Sequence, residues 1–350
     1  MTCLESINSL YVEKEPQGYI VRPCCLYDDK NKSHVDTLDQ LLDNPVINKI
    51  RQGFKTDWKA NPACNNCLRR EEIGLSSKRL RSIQRGQGLD HWDIRPGHTC
   101  NLKCAMCSPK QSSKWLEDLD VYSKYSTEHF GERSDIDWNW LYDKMVNTAK
   151  FVYIAGGEPF YMKEVHNFLD KLGSNSWNAK NTIIQIQTNC VSNTKKFLDI
   201  LAKFKKLEFS LSIDGWEEVN ELIRFPTKHE TFVKNADELF ALNPIHIYFN
   251  ITSQAMNLPV LDKTVNELTS RWNASYDLHT VTYPEHLQIN ALKPHVVQKV
   301  AEDTTNKSIH SFLKKYEYNE KANKTMQRFL IDLDKKRGTN SPQVIPWCFE

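Results

Sequence analysis

A chain of 350 residues has room for about two domains, or for one barrel with an appendage, and can bury a core without disulfide support. Its 46 Lys and Arg against 44 Asp and Glu leave a formal net charge of +2, too even for a protein whose affinity rests on phosphate contacts, so bulk nucleic-acid binding is disfavoured and not expected. No run approaches the roughly 18 apolar residues of a membrane span, and the opening stretch MTCLESINSLYVEKEP has neither a basic nor an apolar signal region, so no membrane partner and a cytoplasmic location are expected.

Ten cysteines in a reducing cytoplasm point to metal or redox chemistry rather than to disulfides. They are unevenly placed: Cys3, Cys24, Cys25, Cys64 and Cys67 come early, Cys100, Cys104 and Cys107 form one tight group, and Cys190 and Cys348 stand alone.

Taken in chain order, residues 1–87 show few periodic runs. A helix is expected from Thr37 through Ile50, interrupted at Pro45, and cysteines stand at both ends, the pattern of a small metal-stapled appendage. Residues 88–290 alternate β-rich apolar runs with helical stretches, the mark of parallel βα units. Strands are predicted at His91–Arg95, Phe151–Ala155, Ile183–Gln187, Leu207–Ile213, Ile245–Ile251 and Tyr276–Thr282. Between them Trp138–Ala149, Lys163–Leu172, Thr194–Phe204, Thr231–Leu242 and Val260–Arg271 carry apolar residues at helical spacing and read as crossover helices. Six such units do not close an eight-stranded barrel. The expected fold is therefore α/β, a partial (β/α)6 TIM-type barrel with a small N-terminal cysteine-rich appendage and, over residues 291–350, a helical C-terminal extension. That extension should hold two or three helices between Pro294 and Lys336, with the tail GTNSPQVIPWCFE as a coil over the barrel mouth.

The segment from Cys100 to Cys107 has the spacing C-x3-C-x2-C directly after the first predicted barrel strand, and in barrels chemistry sits at the C-terminal ends of strands. Three thiolates there can hold three irons of a [4Fe–4S] cube and leave the fourth open to a substrate or cofactor. The competing reading, a structural zinc site, wants four closed ligands, and no fourth is obvious nearby.

On these residues the sequence resembles the radical S-adenosylmethionine (SAM) superfamily, over about residues 88 to 285. The family motif C-x3-C-x-φ-C, with an often aromatic φ, is met with Met106 at φ. Ala155-Gly156-Gly157-Glu158-Pro159 matches the GGE motif after the second strand, where the family holds the SAM amino group. Gln187-Thr188-Asn189 resembles a T-N-G turn with Cys190 in place of Gly, and Cys190 reads as a packed small residue rather than a ligand. Ser210-Leu211-Ser212-Ile213-Asp214-Gly215 resembles the S-x-D-G segment, with Arg224 in the matching I-R context. The resemblance implies that Ser212 and Arg224 meet the SAM carboxylate, that Asp214 lies near the ribose, and that Asn250 and Thr252 are candidates for further ribose contacts. A guanidinium fork and a hydroxyl suit a carboxylate. The activity implied is reductive cleavage of SAM to a 5′-deoxyadenosyl radical that abstracts a substrate hydrogen. This chemistry needs no paired carboxylates or Ser–His–Asp set.

Cys64-Asn65-Asn66-Cys67 is a C-x2-C knuckle that, with Cys3 and the Cys24-Cys25 pair, can build a tetrathiolate site of zinc or [4Fe–4S] type. Adjacent cysteines rarely ligate one cube, so Cys3, Cys24, Cys64 and Cys67 are the preferred set. The layout resembles the auxiliary-cluster module of SPASM/twitch radical SAM enzymes, in its single-cluster twitch form, except that the module precedes the barrel. That resemblance implies a second [4Fe–4S] cluster, an electron donor such as flavodoxin or ferredoxin, and a peptide or protein substrate, with a small metabolite or nucleotide as the alternative. A non-catalytic zinc-binding interaction protein is the reading from another class.

Overall fold

The computed structural model describes residues 3–27, 33–57, 59, 61–72, 74, 77–83, 90–127 and 135–350. The chain divides into two compact units, Met1–Gly97 with Gly131–Gln187 and Thr194–Glu208, and His98–Phe130 with Thr188–Asn193 and Phe209–Glu350. The boundary expected at residues 87 and 88 lies outside the described residues.

The first unit holds β1 (Ser9–Glu15), β2 (Gly18–Ile20), β3 (His34–Val35), β4 (His91–Arg95), β5 (Phe151–Ile154) and β6 (Ile183–Thr188), in the order β3-β2-β1-β4-β5-β6. β1, β4, β5 and β6 are parallel, and β2 and β3 are added antiparallel. The register places Val12, Ile94, Ile154 and Ile186 in one row, all fully buried. Together with Leu141, Val165, Leu169, Leu172 and Phe197 from the crossover helices they make the apolar core of this unit. Because side chains alternate along a strand, the neighbouring row is Tyr11, Asp93, Tyr153 and Gln185. That face is polar and ion-paired: Lys78 Nζ lies 2.5 Å from Asp93 and 2.9 Å from Glu5, Arg95 lies 2.9 Å from Asp93, and Arg22 lies 2.5 Å from Glu13. A parallel sheet is usually apolar on both faces, so one charged face marks the side where chemistry is to be sought.

All six strands and all five crossover helices read from the sequence are present, with ends that differ by a few residues. The helix expected to run to Ala149 stops at Met145 because Asn147 takes a left-handed φ of 62°. Pro45 splits the N-terminal helix as expected, into Leu38–Leu42 and Pro45–Thr56, with Asn44 capping the second. β1 was not legible: its apolar run is short, and Glu13, which looks like solvent-facing charge, is buried against Arg22 and Tyr11.

In the second unit β7 (Lys206–Ser212), β8 (His246–Ser253) and β9 (Ser275–Thr280) follow one another, β8 and β9 in parallel. The C-terminal extension forms helices Pro294–Asp303, Lys307–Leu313 and Glu320–Arg337. The tail is not the expected coil. Asn340 caps a short helix Ser341–Val344 that carries Pro342 in its first turn, a start signal present in the sequence. The 3₁₀ turn Pro346–Cys348 follows, and Trp347 Nε1 donates to the Ala255 carbonyl at 3.2 Å. Among the described residues no helix is long and apolar enough to cross a membrane.

His286 in this unit is buried, with Tyr125 and Phe329 rings 5.9 and 4.6 Å away. Burial pushes its imidazole down to about 4. A group whose folded pKa lies below its unfolded value adds stability that is present above the unfolded value and lost as pH falls toward the folded one. Urea unfolding should therefore lose up to about 3 kcal/mol between about pH 6.5 and 4 through this residue. His286→Phe should remove that part of the acid sensitivity; an unchanged pH profile contradicts it.

Candidate active site

The loop from Cys100 to Cys107 has no regular secondary structure of its own, so its shape is imposed by neighbours. The Lys103 N–H donates to the Phe225 carbonyl and the Ala105 N–H to the Ile223 carbonyl, each at 2.8 Å. Trp115 Nε1 donates to the Cys104 carbonyl at 2.9 Å, Ser112 Oγ donates to the Leu102 carbonyl, and Ser113 Oγ accepts from the Cys100 N–H at 3.2 Å. Met106 and Cys107 are half-buried, while Cys104 is buried. Cys107 donates a side-chain hydrogen bond that holds the Cys104 thiol below its ordinary range and raises its own; the Arg224 charge favours both thiolates, and Cys100 stands close enough to oppose that of Cys107.

The strand-end residues of this unit assemble around Asp214. Its carboxylate is fully buried, accepts the Thr252 N–H at 2.7 Å and pairs with Arg224 Nε at 2.7 Å. Its backbone is held as well: the Asp214 N–H donates to Asn220 Oδ1 at 2.9 Å, and Asn257 Nδ2 donates to the Asp214 carbonyl at 2.8 Å. Burial raises the Asp214 carboxyl while the Arg224 charge opposes that shift, and burial works against the Arg224 charge while Asp214 raises it. Asp214, expected near a ribose, thus has both carboxylate oxygens engaged by the chain itself, and Thr252 contributes its backbone. Ser212 is buried at the end of β7, and the Ile213 N–H donates to the Asn250 carbonyl at 3.1 Å.

Asn189 Nδ2 donates to Asn101 Oδ1 at 2.8 Å and lies 3.9 Å from Cys100 Sγ, tying the turn after β6 to the cysteine loop. Cys190 takes a φ of 61°, the left-handed conformation for which glycine is the natural residue. It is held there by Thr188 Oγ1, which accepts the Cys190 N–H at 3.0 Å, and by Asn235 Nδ2, which donates to the Cys190 carbonyl at 3.0 Å. Its side chain is fully buried, as expected for a packed thiol.

Gly156, Gly157 and Glu158 belong to the first unit. Both glycines are left-handed, with φ of 113° and 56°, and a Cβ on Gly156 would stand 3.7 Å from Arg95 Cδ. Glu158 is buried and accepts the Phe160 N–H at 3.0 Å, capping the turn Pro159–Tyr161. The same unit gathers the N-terminal thiols. Cys3 and Phe54 are buried together with Cys64, Cys67 and Tyr27 packed on them. Burial, then the neighbouring Cys3 and Cys67, push the Cys64 thiol up to about 12, and Cys24 is raised well above its ordinary value by burial and then by Cys25, with the Lys78 charge opposing and Glu5 and Cys3 adding less. Cys25 lies 3.1 Å from Lys78 Nζ, near the charges of Asp93 and Arg95. Among the described residues no three or more His, Cys, Asp or Glu side chains stand as a ready-made metal site. In protonated form Cys104 and Cys107 bond to each other. As a donor set, two groups of sulfur ligands without interleaved carboxylates fit an iron–sulfur cluster or zinc and not a hard cation.

Several polar atoms of the second unit stand buried without a partner among the described residues, and of their residues only Asn250 was singled out from the sequence. Asn250 Oδ1, Ser253 Oγ and both amide atoms of Gln254, at the end of β8, are buried without a hydrogen-bond partner among the described residues, as is Ser210 Oγ on β7. Such groups cost free energy unless a ligand or water satisfies them. For Ser253 and Gln254 the sequence signal was their position just beyond Asn250 and Thr252.

Asp214→Ala should destabilise the chain by about 3–5 kcal/mol in urea unfolding, because it leaves Arg224 as a buried unpaired charge. Asp214→Asn, which keeps an acceptor for the Thr252 N–H, should cost less. A loss under about 1 kcal/mol for the Ala variant would show that the pair is not a structural keystone.

No curated protein matches the chain. Among solved structures, anSMEcpe with bound AdoMet and the Cp18Cys peptide is similar at 16% identity and a TM-score of 0.42, over 60% of this chain and 57% of that one. SuiB of Streptococcus suis bound to S-adenosylmethionine is similar at 13% identity and a TM-score of 0.38, over 91% of this chain and 57% of that one. The chain thus covers 57% of the length of each. Residues 94–263, which run from β4 to the helix after β8 and include the three-cysteine loop, the Gly-Gly-Glu turn and the Asp214–Arg224 pair, match the model of the Radical SAM superfamily.

Proposed function

We propose that the chain is an enzyme that reductively cleaves SAM at a [4Fe–4S] cluster held by Cys100, Cys104 and Cys107 and directs the resulting radical to one substrate hydrogen. The observation that carries the reading is the cysteine loop itself: three cysteines in eight positions, Cys104 and Cys107 hydrogen-bonded to each other beside the Arg224 cation, on a backbone pinned by hydrogen bonds from outside the loop. The cluster, when bound, supplies the electron that breaks a C–S bond of the sulfonium. The protein's part is binding and orientation. Gly156 and Gly157 give close backbone approach and Glu158 a carboxylate for the SAM amine. Arg224, with Nε already fixed by Asp214, offers the rest of its guanidinium to the SAM carboxylate together with Ser212. Thr188 and Asn189 shape the turn beside Cys100, Met106 adds apolar contact, and Asn250 and Thr252, with the unsatisfied Ser253 and Gln254, offer hydrogen bonds to the ribose and base. Asp214 acts by holding Arg224.

Cys3, Cys24, Cys64 and Cys67 hold a second [4Fe–4S] cluster in this reading, supported by the packing of Cys3 with Cys64 and Cys67. The substrate is a peptide or protein, on the resemblance of the N-terminal cysteines to a twitch module; a small metabolite is the alternative. Flavodoxin or ferredoxin provides the electron, in the cytoplasm, where the thiols stay reduced.

Anaerobically reconstituted protein given SAM and dithionite should form 5′-deoxyadenosine, and Cys107→Ala should abolish it, since two thiolates cannot hold the cube with one open iron. Near-normal 5′-deoxyadenosine from that variant removes the assignment. A Cys64→Ala/Cys67→Ala double variant should lose about half of its iron and keep SAM cleavage, while substrate turnover falls. Zinc at the N-terminal site of the wild type, or unchanged iron in the variant, would leave a single-cluster enzyme with a zinc knuckle.

A further inference from the structure

Beyond the region matched to the family, the C-terminal helix Glu320–Arg337 returns to the cysteine loop. Lys103, in the three-residue gap between Cys100 and Cys104, places Nζ 2.7 Å from Asp118 Oδ1. Arg337, at the last turn of that helix, places Nε 2.7 Å from Asp118 Oδ2. Asp118 is fully buried, and the Arg337 side chain is 2% exposed. The Arg337 guanidinium also lies 4.7 Å from the centre of the Trp115 ring and 5.3 Å from that of Phe225. These are two of the residues that hold the loop's backbone, Trp115 by its bond to the Cys104 carbonyl and Phe225 by accepting the Lys103 N–H. One guanidinium therefore touches a carboxylate paired with the loop's lysine and packs on two residues that anchor its main chain. Lys103 also lies 3.3 Å from the exposed Glu117, but the buried part of the cluster is two cations on one anion, a poor source of net stability. Its directional bonds, however, fix the relative position of three segments of the chain.

We propose that Arg337 is a positioning residue of the active site: acting through Asp118 and Lys103, the C-terminal helix sets the shape of the cysteine loop before any metal arrives. The catalytic meaning of this tie rests on the cluster reading of the loop, but the tie itself is testable without metal.

The test is hydrogen exchange read by mass spectrometry on the metal-stripped full chain, comparing wild type, Arg337→Met and Arg337→Lys. In Arg337→Met the Lys103 and Ala105 amides should exchange at least about tenfold faster while those of β8 and β9 are unchanged, because only a local opening is released. Arg337→Lys, which keeps the charge, should restore part of the protection. Unchanged loop exchange in Arg337→Met, an equal loss of protection through the whole unit, or no rescue by Lys overturns the proposal. Should Arg337→Met not fold, the apolar triple variant Lys103→Met/Asp118→Leu/Arg337→Met leaves no unpaired buried charge. It should fold with the same fast loop exchange, and a protected loop in it overturns the proposal equally. Iron uptake on the same preparations separates the two readings: wild type that takes up no iron while Arg337→Met still frees the loop removes the cluster and leaves the tie standing.

Discussion

A loop with three cysteines in eight positions has no helix or strand of its own to give it shape, so every site built on it depends on bonds made from outside. Here those bonds come from the backbone of the helix Glu218–Ile223 and the residues after it, from the indole of Trp115 and from the buried Asp118. The thiols are held close enough to share a hydrogen bond, and the Arg224 charge beside them favours their ionised forms, which are the forms that bind metal.

Arg224 can stand there because Asp214 neutralises it, and Asp214 can be buried because Thr252, Asn220 and Asn257 satisfy its carboxylate and backbone. The chain of dependence runs from a helix and a strand end, through one buried ion pair, to the electrostatics of the thiols. Elsewhere in the fold the same economy of polar contacts appears among Asp93, Arg95 and Lys78, where Lys78 also reaches Cys25.

Much of this was legible in the sequence. The six strands read from the sequence carry β-branched and aromatic runs, three of them, β4 to β6, sharing one buried apolar row, and the cysteine spacing, the Gly-Gly-Glu turn and the S-x-D-G segment mark strand ends. Cys190 in a position that asks for glycine was visible as an oddity; that it adopts the left-handed conformation, stabilised by Thr188 and Asn235, could only be seen in three dimensions. β1 escaped because burying Glu13 requires Arg22, which sits on another segment. The engagement of Asp214 escaped for a similar reason: its partner Asn257 lies 43 residues away. Arg337 gave no local sign at all, since its only distinguishing property is the distant carboxylate it meets.

The central claim is that the cysteine loop holds a cube with one iron open to SAM. Electron paramagnetic resonance of the dithionite-reduced, anaerobically reconstituted chain tests it most directly, in the Cys64→Ala/Cys67→Ala background so that one cluster is observed. The account predicts a reduced [4Fe–4S] signal whose g-values shift when SAM is added. A colourless zinc protein, or an iron–sulfur signal that SAM leaves unmoved, would contradict it.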